Sequence, residues 1–125
     1  ICACLVGSEM CIRDRCKFSG DCYRTVYGMH SITHSLIQLA VYMGFKEIYL
    51  LGADCNFPKG KQIHFQDYGV PDTTIDTARE RNIAGYKEVK KQMNQYGFTE
   101  FNATRGGALE VFERVNLDDL LKEDK

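Results

Sequence analysis

The sequence predicts an α/β domain built on a parallel sheet, and three observations carry that prediction. Ile48, Tyr49, Leu50 and Leu51 form a short β-rich apolar run of the kind found in strands covered on both faces. A second strand-like segment, FTEFN from Phe98 to Asn102, comes after a long helical stretch, so the order is helix, strand, helix, strand. Strands joined by such a crossover lie parallel, with their carboxyl ends on one edge of the sheet, where ligands bind in open α/β folds. The 125 residues give room for one core but fall short of a usual doubly wound sheet, so the domain is expected to be incomplete.

Composition narrows the function classes. A formal net charge of -1 supplies no basic field for nucleic acid or an anionic membrane. No apolar run approaches the roughly 20 residues that span a bilayer, so no transmembrane segment is expected. The opening, ICACLVGSEMCIRDR, differs in composition from the remainder of the chain. CLVGSEMCIRDR resembles a translated sequencing-adapter remnant, so residues 1–15 are expected to be non-native, the competing reading being a short strand from Cys4 to Val6. Cys16, Cys22 and Cys55 then remain, an odd number without C-x-x-C spacing, which fits reduced thiols and a cytoplasmic location. Cys2, Cys4, Cys11 and Cys16 match no usual zinc spacing, and no metal site is assigned.

Residues Cys16 to Met29 read as an irregular approach with a short extended piece at Thr25 to Tyr27. From Ser31 to Met43, Ile32, Leu36, Leu39, Ala40 and Met43 fall at helical spacing, Ser31 or Thr33 can cap, and Gly44 is the stop. Ile37 and Val41 widen the apolar face, so few positions should be exposed. His30, Ser31, Thr33 and His34 gather at the helix start, where free N–H groups favour a phosphate, although capping alone explains Ser31 and Thr33. His30 and His34 lack the Glu of an H-E-x-x-H pair.

After the first strand, Gly52 lets the backbone approach a ligand and Asp54 occupies the strand end. There a carboxylate can hold a metal or a hydroxyl, or simply form a turn. Cys55 to Thr74 is a long loop carrying Lys59, Lys61, His64 and Tyr68. His64 titrates where a general base at neutral pH is needed, unless it is solvated surface. From Asp76, Ile83, Tyr86, Val89, Met93 and Tyr96 make a helical stripe, with Lys87, Lys90 and Lys91 outward and Gly97 as the stop. Tyr49, Leu51, Leu36, Leu39, Met43, Tyr86 and Val89 are expected to share one core. Past the second strand, Thr104, Arg105, Gly106 and Gly107 form either an anion-binding turn or an ordinary glycine turn with an exposed Arg. The tail offers a short amphipathic piece at Leu109 to Phe112, then a capped turn at Asn116 leading into Leu117 to Leu121.

Taken together, LIQLAVYMGFKEIYLLGADCNF, HF after the loop and FNATRGGALEVFERV resemble the MptE-like (6-hydroxymethylpterin diphosphokinase-like) family from about Cys16 to about Leu121. Its bacterial members look like glycan-biosynthesis glycosyltransferases. The block MGFKEIYLLGAD also looks like the matching strand of sialyltransferases that use CMP-activated sugars. The resemblance implies a Rossmann-like fold lacking its amino-terminal half, with Gly52 and Asp54 at the nucleotide and His64 as the base on the acceptor hydroxyl. The spacing of His64 from the strand is shorter than in those enzymes. The activity implied is transfer from a nucleotide-activated donor to a glycan or small-alcohol acceptor. The alternatives are ATP-dependent diphosphorylation of a pterin and a non-catalytic binding domain. A divalent cation accompanying the nucleotide is the sole cofactor these activities suggest.

Overall fold

The computed structural model describes residues 16–28, 31–56 and 75–123. Expectations about residues 1–15, His30 and most of the long loop, His64 included, lie outside the described residues. Helix α1 (Ile32–Tyr42) leads into strand β1 (Glu47–Leu50), helix α2 (Ile75–Tyr96), strand β2 (Thr99–Asn102), strand β3 (Glu113–Arg114) and helix α3 (Leu117–Glu123). The sheet order is β1-β2-β3 and both pairings are parallel. Ile48 lies opposite Glu100 and Leu50 opposite Asn102, so the α2 crossover joins parallel neighbours as expected.

Local signals set the boundaries of α1. Ser31 is extended, and its hydroxyl accepts from the Thr33 N–H at 3.3 Å, an N-cap. At the other end Gly44 has φ +92. Its N–H reaches the Val41 carbonyl while that of Phe45 reaches Ala40, the paired bonds of a Schellman stop.

The face that α1 buries differs from the expected one. Leu36 (55 % exposed), Leu39 and Met43 point to solvent with Ile32, whereas His34, Ile37 and Gln38 are buried. Residues 34, 37, 38 and 41 are also spaced as one helical face, and the backbone of the approach segment decides between the two faces. The Gln38 amide accepts from the N–H groups of Ser19 and Tyr27 and donates to the carbonyls of Tyr27 and His34. His34 Nε2 lies 3.0 Å from the Lys17 carbonyl. Buried backbone groups must find partners, and a polar stripe supplies them where leucines could not. Thr25 to Tyr27 joins no strand; Gln38 holds it instead.

The first strand is covered on one face only. Leu50 is buried, but Tyr49 is 38 % exposed and Leu51 60 %, correcting the expectation of a strand covered on both sides. The core lies on the helical side, where Ile37, Leu50, Tyr86, Val89, Phe98, Leu109, Val111 and Phe112 pack together. On the opposite face Tyr49 stacks against Phe101, ring centroids 5.1 Å apart. In the amphipathic piece at Leu109 to Phe112, Leu109, Val111 and Phe112 are buried and lead into β3, two charged residues that no strand pattern announces. Asn116 caps α3, its side chain accepting from the Asp118 N–H. No helix among the described residues is long and apolar enough to cross a membrane.

Candidate functional site

Parallel pairing places the ends of β1 and β2 on one edge, and the two chain segments leaving them touch. The Ala108 N–H donates to the Asp54 carbonyl at 2.6 Å. A Cβ on Gly107 would lie 2.7 Å from the Asp54 Cα, so Asp54 and the glycine turn are in main-chain contact. The Thr104 hydroxyl accepts from the Ala53 N–H at 3.1 Å and lies 3.4 Å from the Leu50 carbonyl, joining the same two strand ends.

Residues 103–112 carry the chain from β2 to its parallel neighbour β3 without a helix, so their backbone groups need partners from elsewhere. Asn102, fully buried, receives the Thr104 N–H and donates to the Leu109 carbonyl. Lys90 of α2, expected merely to face solvent, reaches the Val111 carbonyl at 2.7 Å. Arg114 does the most: its guanidinium donates to the carbonyls of Thr104, Gly106, Gly107 and Leu109 and forms a bidentate pair with Glu110. The bonds from Arg114 hold the Glu110 carboxyl below its ordinary range.

Beside this turn opens a cleft of about 470 Å³, lined by residues 103–105 and 114–118. Arg105 lies on its wall and is exposed, but its guanidinium is paired with Asp118 of α3 at 2.7 Å. Asp54 is on the same sheet edge without lining this cleft. One of its carboxylate oxygens accepts from the Asn56 N–H at 3.2 Å, the turn-forming role anticipated as the simpler reading. Gly52 has φ +76 with open space where a Cβ would stand, so the backbone conformation, rather than a close contact, calls for glycine there. Gly106 and Gly107 also have positive φ.

The other expected phosphate ligands, Ser31 and Thr33, lie elsewhere. Their hydroxyls reach the Tyr86 phenol, whose pKa is raised by burial, an effect these hydrogen bonds partly offset and nearby Cys55 and Glu100 reinforce. Cys55 is buried with φ +50, a conformation uncommon for a residue with a side chain; burial raises its thiol pKa, with Asp54 adding to the shift and Arg79 opposing it. Glu100, 1 % exposed, has no partner for either carboxylate oxygen among the described residues, and burial pushes its pKa up to about 8. Cys16, Cys22 and Cys55 are free thiols. No group of three potential metal ligands occurs among the described residues.

Asp54, Arg105, Thr104 and Gly106 are thus brought to one edge, Ser31 and Thr33 to a neighbouring interior position beside Tyr86, and His64 lies outside the described residues. Arg114 and Glu100 were not anticipated. Arg114 lies just past the amphipathic piece read at Leu109 to Phe112, and nothing in the sequence places it behind the glycine turn. Comparison with known proteins finds no matching family model, no matching curated protein and no matching solved structure.

Proposed function

We propose that the chain is the carboxyl-terminal part of a Rossmann-like, MptE-like transferase acting on an activated phosphate ester, in the first instance a glycosyltransferase that takes a CMP-type nucleotide sugar in bacterial surface-glycan synthesis. The observation that carries this reading is the contact between Asp54 and the turn at Thr104 to Ala108 across the ends of two parallel strands. It supports a polar binding edge where such sheets take ligands. Arg105 would exchange Asp118 for a phosphate or sugar carboxylate, which it can grip through two parallel hydrogen bonds. The Asp54 carboxylate, with one oxygen used by Asn56, would accept from a ribose or acceptor hydroxyl. His64, by resemblance, would take the proton from the attacking hydroxyl.

Thermal unfolding with CMP, a CMP-sugar, or ATP with a hydroxymethylpterin tests the proposal. Protection by CMP compounds, weakened by Arg105→Gln and strengthened by Asp118→Asn, is the expected result. Protection by ATP with the pterin alone would turn the assignment to the diphosphokinase. Indifference to every nucleotide would leave the non-catalytic binding domain.

A further inference from the structure

An arginine that collects four carbonyls from one short turn also fixes where the amides of that turn point. The described peptides are trans, and in a trans peptide the C=O and the N–H of one unit point in opposite directions. The carbonyls of Thr104, Gly106 and Gly107 face Arg114 at 3.3, 2.7 and 3.2 Å. The N–H groups of Arg105, Gly107 and Ala108 therefore face away from it. The Ala108 N–H is spent on the Asp54 carbonyl. Those of Arg105 and Gly107 have no acceptor among the described residues.

We infer that Arg114 is the positioning residue of an anion site: by drawing the carbonyls of the 104–107 turn behind it, Arg114 presents the Arg105 and Gly107 amides as donors to a phosphate oxygen. Two features support this beyond the hydrogen bonds themselves. Glu110 holds the guanidinium in a bidentate fork, so its plane is set before any ligand arrives. Gly106 (φ +74) and Gly107 (φ +80) allow the chain to face its carbonyls to one side. Outward-facing main-chain amides in glycine turns are an established way of holding anions. A lysine at position 114 would keep the charge but could not reproduce the planar fork. This inference rests on reading the turn as part of the anion-binding edge, and it adds a role for a residue that does not touch the ligand.

The test uses the full 125-residue chain with inorganic pyrophosphate and CMP as probes, followed by amide NMR and calorimetry. In the wild type, pyrophosphate is expected to shift the amide signals of Arg105 and Gly107. Arg114→Lys is expected to bind it about tenfold more weakly or worse, the scale of one lost charge-assisted hydrogen bond, and to show smaller shifts at those two amides. Equal affinity in Arg114→Lys, or wild-type binding that leaves both amides unmoved, overturns the inference while sparing the binding reading. A wild type that binds neither probe overturns both. Should Arg114→Lys not fold, the wild-type amide map decides together with Glu110→Gln, which loosens the guanidinium without removing it and should weaken binding to a smaller degree.

Discussion

Glu100 makes stability fall as pH rises through the neutral range. Its carboxyl is 1 % exposed, sits in β2 opposite Ile48 and near Tyr86, and has no hydrogen-bond partner among the described residues. Burial raises its pKa from 4.5 to about 8, so the folded chain keeps a proton that the unfolded chain releases. Stability contributed by this proton is complete below about pH 4.5 and is lost at about 1.4 kcal/mol per pH unit until about pH 8, where the loss levels off. At pH 7 the cumulative loss is about 3 kcal/mol, a large part of a typical folding free energy. Glu100→Gln keeps the shape and removes the titration. Urea unfolding of both proteins at pH 5, 6, 7 and 8 gives the comparison. The difference between them should change with pH in favour of the variant as pH rises, whatever fixed cost the amide adds through its own unmet hydrogen bonds. Tyr86 and Cys55 are both raised, chiefly by burial, from ordinary values of 10 and 9, so their shifts act above the pH range compared. Parallel stability curves across this range would refute the reasoning, because a solvated carboxyl titrates alike in the folded and unfolded chain.

The packing sets three further outcomes. Gln38→Ala should cost about 1–3 kcal/mol and speed hydrogen exchange at the Ser19 and Tyr27 amides, since both lose a buried acceptor; unchanged exchange would mean the approach segment is held by something else. Leu109→Ala should cost about 2–5 kcal/mol by chemical denaturation and Leu36→Ala no more than about 0.5, the reverse of what a leucine stripe on α1 would suggest. Gly107→Ala should destabilise by about 1–3 kcal/mol, because the added methyl meets the Asp54 main chain and φ there is +80; a calorimetric melting temperature equal to that of the wild type would contradict the tight turn.

What could be read from the sequence was local or topological. Ser31, Gly44, Gly97 and Asn116 mark helix ends through their own chemistry, and the parallel pairing of β1 with β2 results from the helix between them. That pairing alone put Asp54 and the Thr104 to Gly107 turn on one edge. The rotation of α1 was not legible, because two faces share its spacing and the choice lies with Ser19 and Tyr27, remote positions whose amides need Gln38. β3 was not legible because Glu113 and Arg114 are both charged. The duty of Arg114 was hidden for a related reason: it binds carbonyls, which every residue type carries, so no pattern of side chains reveals the match.

The flank of β1 that faces away from β2 bears on how the isolated chain behaves at high concentration. Among the described residues β1 pairs with β2 alone, and Leu51, directly after the strand, is exposed. A strand edge beside apolar surface is a template for intermolecular cross-β growth wherever it is left unpaired, and the Glu47–Leu50 strand contains no proline to break it. Lys46 and Glu47 are the local gatekeepers, and charge at such positions slows templating without abolishing it. Turbidity should therefore rise steeply with concentration and salt, which screens that pair. A second lysine at the exposed Tyr49 position would delay its onset and leave the buried side of the sheet intact.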